Sequence, residues 1–358
     1  MAKIAILSFY SGIVERGVET FAHEIAKRLL KKHKITVFQA GPIKHYPQIR
    51  VYQIKASACI PRPSQSFLAK AYLDFQSLKI FIFTVKVIPK IVAGKYDLII
   101  PLNGGWQTAI VRIITKITNS KMLISGHAGI GSDDAVNLFF RPDVFVALTS
   151  AQASWAERLA PEVRTEFIPN GVDLALFHSK IEPKKLSLKK PIVVCVSALD
   201  PYKRVDLTIK AVAKTRNLSL LILGDGQLRG YLDSLGKRLL GARYLRLNPA
   251  YHQMPAYYRT GSVFTLASKT EAFGISYVEA MACNLPVITT NDASRAEIIQ
   301  DAGILTNPEN IEQYARDLLI ATKSDYRNVP YNQALKFSWN KIAEKYSDLI
   351  AEITQKHR

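Results

Sequence analysis

Several features are scarce in this chain, and each scarcity excludes a class of protein. The three cysteines, Cys59, Cys195 and Cys283, are far apart in 358 residues, so they offer neither a disulfide framework nor a metal-ligand pair. Cys195 and Cys283 lie in apolar runs, and we expect them to be small buried hydrophobic residues. No uncharged apolar stretch reaches the roughly 18 residues of a membrane-spanning helix. The first apolar run is too short for a signal peptide, and the sequence therefore predicts a globular protein of the reducing cytoplasm.

Acidic residues are scarce near the N-terminus. Residues 1–100 contain 16 Lys and Arg against 5 Asp and Glu, so they carry +11 of the net charge of +19. Within residues 75–92, Lys79, Lys86 and Lys90 interrupt an apolar helical segment. Such a helix suits an anionic membrane surface, where each cation contributes about 1 kcal/mol. A core helix with a solvated basic edge is the alternative. Nucleic acid would also attract this charge, but no interleaved aromatic and basic pattern supports it, and we expect no nucleic-acid partner.

Short apolar segments alternate with helical segments along the whole chain, which is long enough for two domains. This alternation predicts an α/β fold with parallel sheets covered on both faces. The pattern restarts after a polar, basic segment at residues 178–190, which predicts two doubly wound domains, 1–177 and 191–335, joined by a linker. A terminal helix at 336–358 follows, with Ser338 as its N-cap. The predicted strands are residues 4–9, 35–39, 97–102, 121–125, 144–148, 192–197, 218–223, 263–267 and 287–290.

Glu271 and Glu279, separated by seven residues, are the most informative pair in the sequence. A strand ending at Ala267 leads into a polar loop, and a helix is expected to begin near Gly274 or Ile275. The free N–H groups at that helix N-terminus form a site for a diphosphate. Two carboxylates around it suit a ligand with hydroxyls at both ends, such as a nucleotide-sugar. Taken singly, either Glu is better explained as a cap-region acid or a solvated helix residue. The small and apolar residues after Glu279, however, predict a buried carboxylate that needs hydrogen-bond partners.

Two further loops carry candidate ligand contacts. Gly224, Asp225 and Gly226 form a tight strand-to-helix turn, in which glycine permits positive φ or a close approach of a ligand; many βα turns share this feature. Lys203 and Arg204 end another strand-and-loop segment. Cations there would stabilise the charge on a leaving nucleoside diphosphate. A merely solvated pair is disfavoured, because cations lie unfavourably at a helix start unless an anion is bound.

The segment around Glu271 and Glu279 resembles the E-x7-E motif of retaining glycosyltransferases of family 4, which have the GT-B fold. The resemblance extends over nearly the whole chain and is stronger in the C-terminal half. It implies two Rossmann-like doubly wound domains that face each other across a cleft, with the last helix crossing back to the N-terminal domain. It also implies that Glu271 contacts the donor sugar and Glu279 the ribose. The backbone amides expected near the sugar and phosphates are those of Phe273, Gly274 and Ile275.

The same family resemblance assigns roles to the other two loops. The Gly-Asp-Gly turn at 224–226 matches a loop that borders the nucleotide, and Lys203 matches a lysine that stabilises the leaving diphosphate. The family usually has an arginine five residues before that lysine, where this chain has Ala198, and Arg204 is a candidate replacement that would contact the phosphates in bidentate fashion. Asn284 stands where the family commonly has Gly, after the helix, and there Asn tolerates a left-handed conformation.

In the N-terminal half, the loop between the first strand and helix is no GxGxxG motif, so a dinucleotide site is not supported. It resembles the first loop of the family, in which Gly17 would let the backbone approach the acceptor or the phosphates. His127 matches a family histidine that faces the reacting sugar; a hydrogen-bonded structural histidine is the alternative. Asp133 and Asp134 are adjacent loop residues that seldom share one ion, so we interpret them as a cap or acceptor contact and expect no metal site.

The resemblance implies a retaining, metal-independent hexosyltransferase that moves a sugar from a nucleotide-diphosphate sugar to a hydroxyl acceptor. The nucleotide-sugar is a co-substrate, and no cofactor is expected. No residue stands out as a covalent nucleophile or general base, which agrees with the front-face mechanism proposed for such enzymes. The basic first hundred residues favour a membrane-associated glycan or glycolipid acceptor and a peripheral location on the inner face of the cytoplasmic membrane. A GT-B epimerase or hydrolase and a non-catalytic nucleotide-sugar-binding protein are the alternatives.

Overall fold

The structure is a computed structural model that describes residues 1–14, 16–42, 49–54 and 72–355. The chain forms two compact units, one of Met1–Asn170 with Trp339–Arg358 and the other of Gly171–Ser338. Cys195 and Cys283 are buried as predicted, whereas Cys59 lies outside the described residues. Among the described residues, no helix combines the length and the hydropathy of a membrane span.

The strands and helices of the described residues are numbered in chain order. The strands are β1 (Lys3–Leu7), β2 (Lys34–Gln39), β3 (Arg50–Gln53), β4 (Leu98–Pro101), β5 (Lys121–Ser125), β6 (Val144–Ala147), β7 (Arg164–Phe167), β8 (Ile192–Val196), β9 (Ser219–Leu223), β10 (Tyr244–Leu247), β11 (Val263–Leu266), β12 (Val287–Thr290) and β13 (Gly303–Thr306). The helices are α1 (Gly17–Leu29), α2 (Phe75–Gly94), α3 (Gly105–Thr118), α4 (Ser132–Phe139), α5 (Ser150–Leu159), α6 (Val205–Ala213), α7 (Arg229–Leu240), α8 (Met254–Tyr258), α9 (Ile275–Ala282), α10 (Ala293–Ile299), α11 (Ile311–Lys323), α12 (Val329–Ala334) and α13 (Trp339–Gln355).

The first unit is built on a seven-stranded parallel sheet in the order β3-β2-β1-β4-β5-β6-β7. Successive side chains of its central strand enter two different cores. Ile4 and Ile6 of β1 join the cluster that contains α1 and α13, while Ala5 and Leu7 join the cluster that contains α2 and α3. Because both faces of a parallel sheet are covered, its inner strands read as continuous apolar runs, and this is why the sequence predicted them.

The terminal helix α13 is part of the first unit, although 168 residues of the second unit precede it. Its Tyr346 ring lies 5.5 Å from the ring of Phe21 on α1, and its hydroxyl lies 3.0 Å from Ser125 Oγ at the end of β5. Trp339 and Ile350 are also fully buried in this core. The helix begins directly after Ser338, as the sequence predicted.

The second unit contains a six-stranded parallel sheet in the order β10-β9-β8-β11-β12-β13. Counted within each unit, both sheets contain the order 3-2-1-4-5-6 of doubly wound nucleotide-binding folds, which the first sheet extends by a seventh strand. The predicted pair of Rossmann-like domains is therefore confirmed. The chain passes into the second unit between Asn170 and Gly171. The segment 178–190, predicted as the linker, therefore lies within the second unit. The sequence analysis did not predict β3, β7, β10 or β13, which are the four edge strands of the two sheets.

The position of α13 leads to a stability prediction for the first unit. Replacing the fully buried Ile350 by Ala should lower the free energy of unfolding of this unit by about 3 kcal/mol, since it removes apolar contacts and leaves a cavity. All three tryptophans, Trp106, Trp155 and Trp339, belong to the first unit, so urea unfolding followed by tryptophan fluorescence reports on it. The exposed Lys345→Ala on the same helix is the control and should leave the midpoint unchanged. Equal midpoints for both variants would contradict the packing of α13 described here.

Candidate functional site

The candidate residues of the second unit lie at one edge of its sheet. The adjacent strands β9, β8 and β11 run parallel, so the loops that follow them emerge side by side. These loops contain residues 224–226, 197–204 and 267–274 respectively. The chain reverses its winding direction between β8 and β11, and ligands of doubly wound sheets bind at such a point, beyond the carboxyl ends of the strands.

Lys203 and Glu271 form an ion pair across this point, with the Lys203 Nζ 2.6 Å from Glu271 Oε1. Both side chains are largely buried, with 14% and 12% of their surfaces exposed. Burial has the largest single effect on the pKa of the Lys203 ammonium and lowers it, but the charge and the hydrogen bond of Glu271, together with Tyr202 and Tyr277, raise this pKa above its usual value. The two loops are also joined through the backbone, because Lys269 N donates to Tyr202 O at 2.8 Å. The structure thus brings together the two residues predicted to contact phosphate and sugar.

Glu279 lies in α9 and is buried, with only 4% of its surface exposed. Its two carboxylate oxygens accept hydrogen bonds from the hydroxyls of Tyr251, at 2.9 Å, and Tyr258, at 2.8 Å. Burial raises the pKa of Glu279 to about 7, although both tyrosine hydroxyls act in the opposite direction. The predicted partners of a buried carboxylate are therefore two tyrosines. The sequence analysis missed both; their only signal was a spacing of seven residues, about two helical turns, just before β11.

The start of α9 has the free backbone donors that the sequence predicted. Gly274 is the N-cap with φ of +88°, and an added Cβ would lie 2.2 Å from the ring of Tyr277, so only glycine fits there. The backbone N–H groups of Phe273, Gly274 and Ile275 donate no hydrogen bond to the part of the chain that the structure describes. The Phe273 side chain is buried, and its ring lies 5.6 Å from the Phe337 ring. This contact fixes the position of the loop that precedes α9.

The Gly-Asp-Gly turn packs closely against the loop that follows β8. Gly224 has φ of +144°, and a Cβ on it would lie 2.0 Å from Ser197 O. A Cβ on Gly226 would lie 2.6 Å from Leu199 N, and that same N–H donates to Asp225 O at 3.0 Å. The two glycines are therefore explained by contact between two protein backbones and by positive φ. Contact of this turn with a nucleotide stays a prediction.

Arg204 is held by protein groups on several sides. Its Nε donates to Ala267 O at 2.7 Å, and its Nη1 lies 2.8 Å from Glu309 Oε1. Its Nη2 lies 3.3 Å from Thr290 Oγ1. The buried Arg295, which the sequence analysis did not identify, supports the same loop by donating to Ser268 O at 3.0 Å. Arg204 thus anchors the loop that carries Glu271, and its contact with phosphate stays a prediction.

The predicted residues of the first unit lie in the loops after β1 and β5. Gly17 is exposed and is the first residue of α1. The tightest backbone approach in that loop is at Gly12, which the sequence analysis did not select. Gly12 has φ of +83°, and an added Cβ would lie 2.5 Å from Pro42 O.

The ring of His127 lies 4.5 Å from that of Phe21, and burial lowers the pKa of His127 to about 3. Its Nε2 is buried with no hydrogen-bond partner among the described residues, which does not fit a hydrogen-bonded structural histidine. Glu19 Oε2, also buried, lacks a partner in the same sense, and burial raises the pKa of Glu19. Glu19 was not predicted as a site residue. His127 Nε2 and Glu19 Oε2 are therefore buried polar atoms with which a ligand group could form hydrogen bonds.

Asp133 and Asp134 point to different partners. Asp133 Oδ1 accepts a hydrogen bond from Tyr72 at 2.8 Å. The buried Asp134 accepts from Gly129 N and from Gln152 Nε2, each at 2.9 Å, and burial raises its pKa to about 7. Asp134 therefore stabilises the loop after β5, because it connects the backbone of this loop to the side chain of Gln152. Within the described residues, no group of three or more His, Cys, Asp and Glu is arranged to hold a metal ion.

Comparison with known proteins identifies the second unit. The model of the family described as "Glycosyl transferases group 1" matches residues 178–337. This part of the chain is similar to the group 1 glycosyltransferases. We refer to it below as the glycosyltransferase domain. The recognition made from the E-x7-E motif is thereby confirmed.

Relatives with curated names cover part of the chain. A probable sucrose-phosphate synthase of Thermosipho melanesiensis is 28% identical over 209 residues, which are 53% of this chain and 48% of that protein. A GDP-mannose-dependent alpha-(1-6)-phosphatidylinositol monomannoside mannosyltransferase of Mycolicibacterium smegmatis is 28% identical over 170 residues, 42% of this chain and 44% of that protein. The chain thus aligns with about half the length of each of these relatives.

A solved structure extends the likeness to both units. The sucrose-phosphate synthase of Thermosynechococcus elongatus superposes with a TM-score of 0.82 at 19% identity, covering 99% of this chain and 100% of that one. At this identity the likeness establishes the fold alone, which is the predicted GT-B fold.

The ion pair of the glycosyltransferase domain leads to a stability prediction. Lys203→Met leaves the Glu271 carboxylate buried without its partner, and should lower the free energy of unfolding by about 3 kcal/mol. The double variant Lys203→Met/Glu271→Gln should recover most of this loss, because no unpaired charge remains. Since the tryptophans lie in the first unit, urea unfolding followed by far-UV circular dichroism is the suitable measurement.

The partly exposed pair of Lys210 and Asp206 on α6, 2.7 Å apart, is the matched control. Its double-mutant cycle should give a coupling below about 1 kcal/mol. Additive losses for the Lys203 and Glu271 variants would show that the two side chains are independent in solution.

The buried carboxylate of Glu279 leads to a prediction on pH. Its pKa in the folded protein, about 7, exceeds its ordinary value of 4.5, so the folded protein binds the proton more tightly than the unfolded chain does. The stabilisation from this proton is fully present below about pH 4.5 and is lost as the pH rises through about 7, with a total of about 3 kcal/mol. Wild type should therefore lose stability over this range relative to Glu279→Gln. Urea midpoints from pH 4 to pH 9 measure the difference. The urea midpoints of the exposed control variant Glu182→Gln should follow those of wild type at every pH. Parallel pH curves for Glu279→Gln and wild type would contradict the raised pKa of Glu279.

Proposed function

We propose that this protein is a retaining glycosyltransferase that moves a sugar from a nucleoside-diphosphate sugar to a hydroxyl acceptor. The observation that carries the proposal is the buried pair of Lys203 and Glu271 at the winding reversal of a group 1 glycosyltransferase domain. The pair puts a cation and a carboxylate next to the free N–H groups of Phe273 and Gly274. A diphosphate needs the cation and the N–H groups, and a sugar needs the carboxylate.

The donor would replace contacts that the free protein makes internally. The diphosphate takes over Lys203 together with the N–H groups at the start of α9. Glu271, released from Lys203, accepts hydrogen bonds from the sugar hydroxyls. Glu279 accepts hydrogen bonds from the ribose, and it binds more strongly when ionised because charge-assisted hydrogen bonds are about twice as strong as neutral ones.

Lys203 has the clearest chemical role in the transfer. Breaking the bond between the sugar and the diphosphate adds negative charge to the leaving oxygen, and a cation fixed beside that oxygen stabilises the transition state more than the ground state. This is the charge that a metal ion provides in other transferases, so we propose that the reaction needs no metal. In the donor complex Glu271 accepts hydrogen bonds from the sugar hydroxyls, and no other candidate residue stands out as a covalent nucleophile. We therefore propose a front-face transfer, in which the leaving phosphate takes the proton of the acceptor hydroxyl.

We propose that the acceptor binds to the first unit. His127 Nε2 and Glu19 Oε2 are buried polar atoms without partners among the described residues, and such atoms cost free energy until a ligand group pairs with them. A hydroxyl of the acceptor can donate to either one. The two relatives quoted above are named for different reactions, so the sugar and the base are left to experiment.

The first test is a thermal-shift panel of UDP, GDP and ADP with their common sugars, on wild type and Glu279→Ala. One base should stabilise the wild type, by about 2.7 kcal/mol at a concentration one hundred times the dissociation constant, and the variant should lose the shift. Donor turnover with hydroxyl acceptors, followed by NMR of the product, then gives the anomeric configuration, which should match the donor.

Lys203→Met and Glu271→Gln should each abolish transfer, whereas the exposed Lys237→Gln in the same domain should retain it. Absence of a shift with every nucleotide would overturn the proposal. Donor consumption without any glycosylated acceptor would replace the transferase by a hydrolase or an epimerase.

A further inference from the structure

Helix α2 of the first unit exposes a continuous apolar stripe. Phe75, Leu78, Ile82, Val85 and Val92 have 69%, 50%, 40%, 42% and 48% of their surfaces exposed. Their spacing of three, four, three and seven residues puts them on one side of the helix. We call these five residues the α2 face. The structure therefore leaves a row of large apolar side chains, roughly five helical turns in length, on the surface of the unit.

The opposite side of α2 already supplies the core. Ser77, Phe83, Thr84, Val87 and Ile91 are buried, and Phe83 packs 5.3 Å from the ring of Phe9. The helix is thus apolar on both sides, but only one side is needed for packing. Contiguous exposed apolar patches of this kind mark interaction sites in folded proteins.

The apolar surface continues onto α3, which packs against α2. The rings of Phe81 and Trp106 lie 6.0 Å apart in an edge-to-face arrangement, and Trp106 is 41% exposed. Further along α3, Ile113 and Ile117 are also exposed. A partly exposed tryptophan beside an apolar helix face is typical of groups that lie at the boundary between lipid and water.

The charged residues of α2 itself have one sign. Lys79, Lys86 and Lys90 lie on the same helix, and α2 itself contains no acidic residue. Residues 25–96 contain 14 Lys and Arg and a single acid, Asp74. That carboxylate is the N-cap of α2 and accepts hydrogen bonds from Gln76 N and Ser77 N. The positive charge along the helix is therefore not balanced by acids within this stretch of the sequence.

We propose that the α2 face binds the surface of a bilayer that contains anionic lipids. The five apolar side chains would enter the boundary between headgroups and acyl chains while the lysines contact lipid phosphates. The helix would lie in the plane of the surface, since its other side is fixed in the protein core. A second copy of the chain is the less suitable occupant, because pairing two α2 faces would bring lysines against lysines. The proposal does not depend on the transfer reaction.

Co-sedimentation of the full chain with vesicles of phosphatidylcholine alone, or with about one third phosphatidylglycerol, tests this proposal. Binding is expected only to the anionic vesicles, and it should weaken as the salt concentration rises. Lys79→Gln/Lys86→Gln/Lys90→Gln should weaken the partition coefficient roughly one hundredfold, since each cation near the surface contributes about a factor of five. Ile82→Ser/Val85→Ser should weaken it by at least tenfold at unchanged charge.

Matched controls use exposed residues of the second unit. Lys189→Gln/Lys237→Gln/Lys323→Gln removes the same charge, and Ile320→Ser removes an exposed apolar side chain from α11; both should bind vesicles as wild type does. Three results would overturn the proposal: no binding to anionic vesicles, equal loss in the control variants, or dimers in analytical ultracentrifugation that the Ile82→Ser/Val85→Ser variant dissociates. Nucleotide shifts should be the same in all of these variants, so failure of the donor site and failure of the membrane surface are distinguishable.

Discussion

The parallel pairing of β8 with β11 is the contact on which the candidate donor site depends. In this pairing Val263 lies beside Val193, and Phe264 lies beside Val194. The paired residues are about seventy positions apart in the chain. Because the strands are parallel and adjacent, the loops after them meet at one edge, and only there can Lys203 reach Glu271. The Rossmann order creates this adjacency, since the first strand of the unit lies between the second and the fourth. The fold therefore supplies the position, and a few loop residues supply the chemistry.

The ion pair also explains how a charged site persists without its ligand. An isolated charge at this level of burial would be costly. Each stabilises the other until a donor with a diphosphate at one end and hydroxyls at the other replaces both contacts together. Arg204 and Arg295 contribute indirectly, because they hold the carbonyl groups of Ala267 and Ser268 and so fix the loop that carries Glu271. The tyrosines that hold Glu279 have the same positioning effect.

The inner strands and the motif glutamates could be predicted from the sequence, whereas the edges and the supporting contacts could not. Strands β5 and β12 have the predicted bounds because all but one residue of each strand is buried, and each strand contains a short apolar run. The missed edge strands, such as Arg-Val-Tyr-Gln in β3 and Arg-Thr-Glu-Phe in β7, are half solvated and therefore lack an apolar pattern. The partners Tyr251 and Tyr258 come from another part of the chain, and the direction of Arg204 depends on a left-handed φ of 49°. A local sequence pattern predicts neither the tyrosine partners of Glu279 nor the backbone conformation at Arg204. Asn284, by contrast, has the left-handed φ predicted from its place after α9.

Helix α2 shows why an apolar helix can be ambiguous as a sequence and informative as a structure. Its composition suited both a core helix and a membrane-surface helix, and a helix that is apolar all round is usually buried. In the folded unit the two descriptions apply to two different sides. Phe83, Val87 and Ile91 are buried in the core, whereas the residues of the α2 face remain 40–69% exposed. Keeping them exposed reduces solubility unless charge offsets it, and the three lysines of α2 supply that charge. If these lysines only maintained solubility, acidic residues could be interspersed among them. The near absence of acids from residues 25–96 is instead the arrangement that attracts an anionic surface.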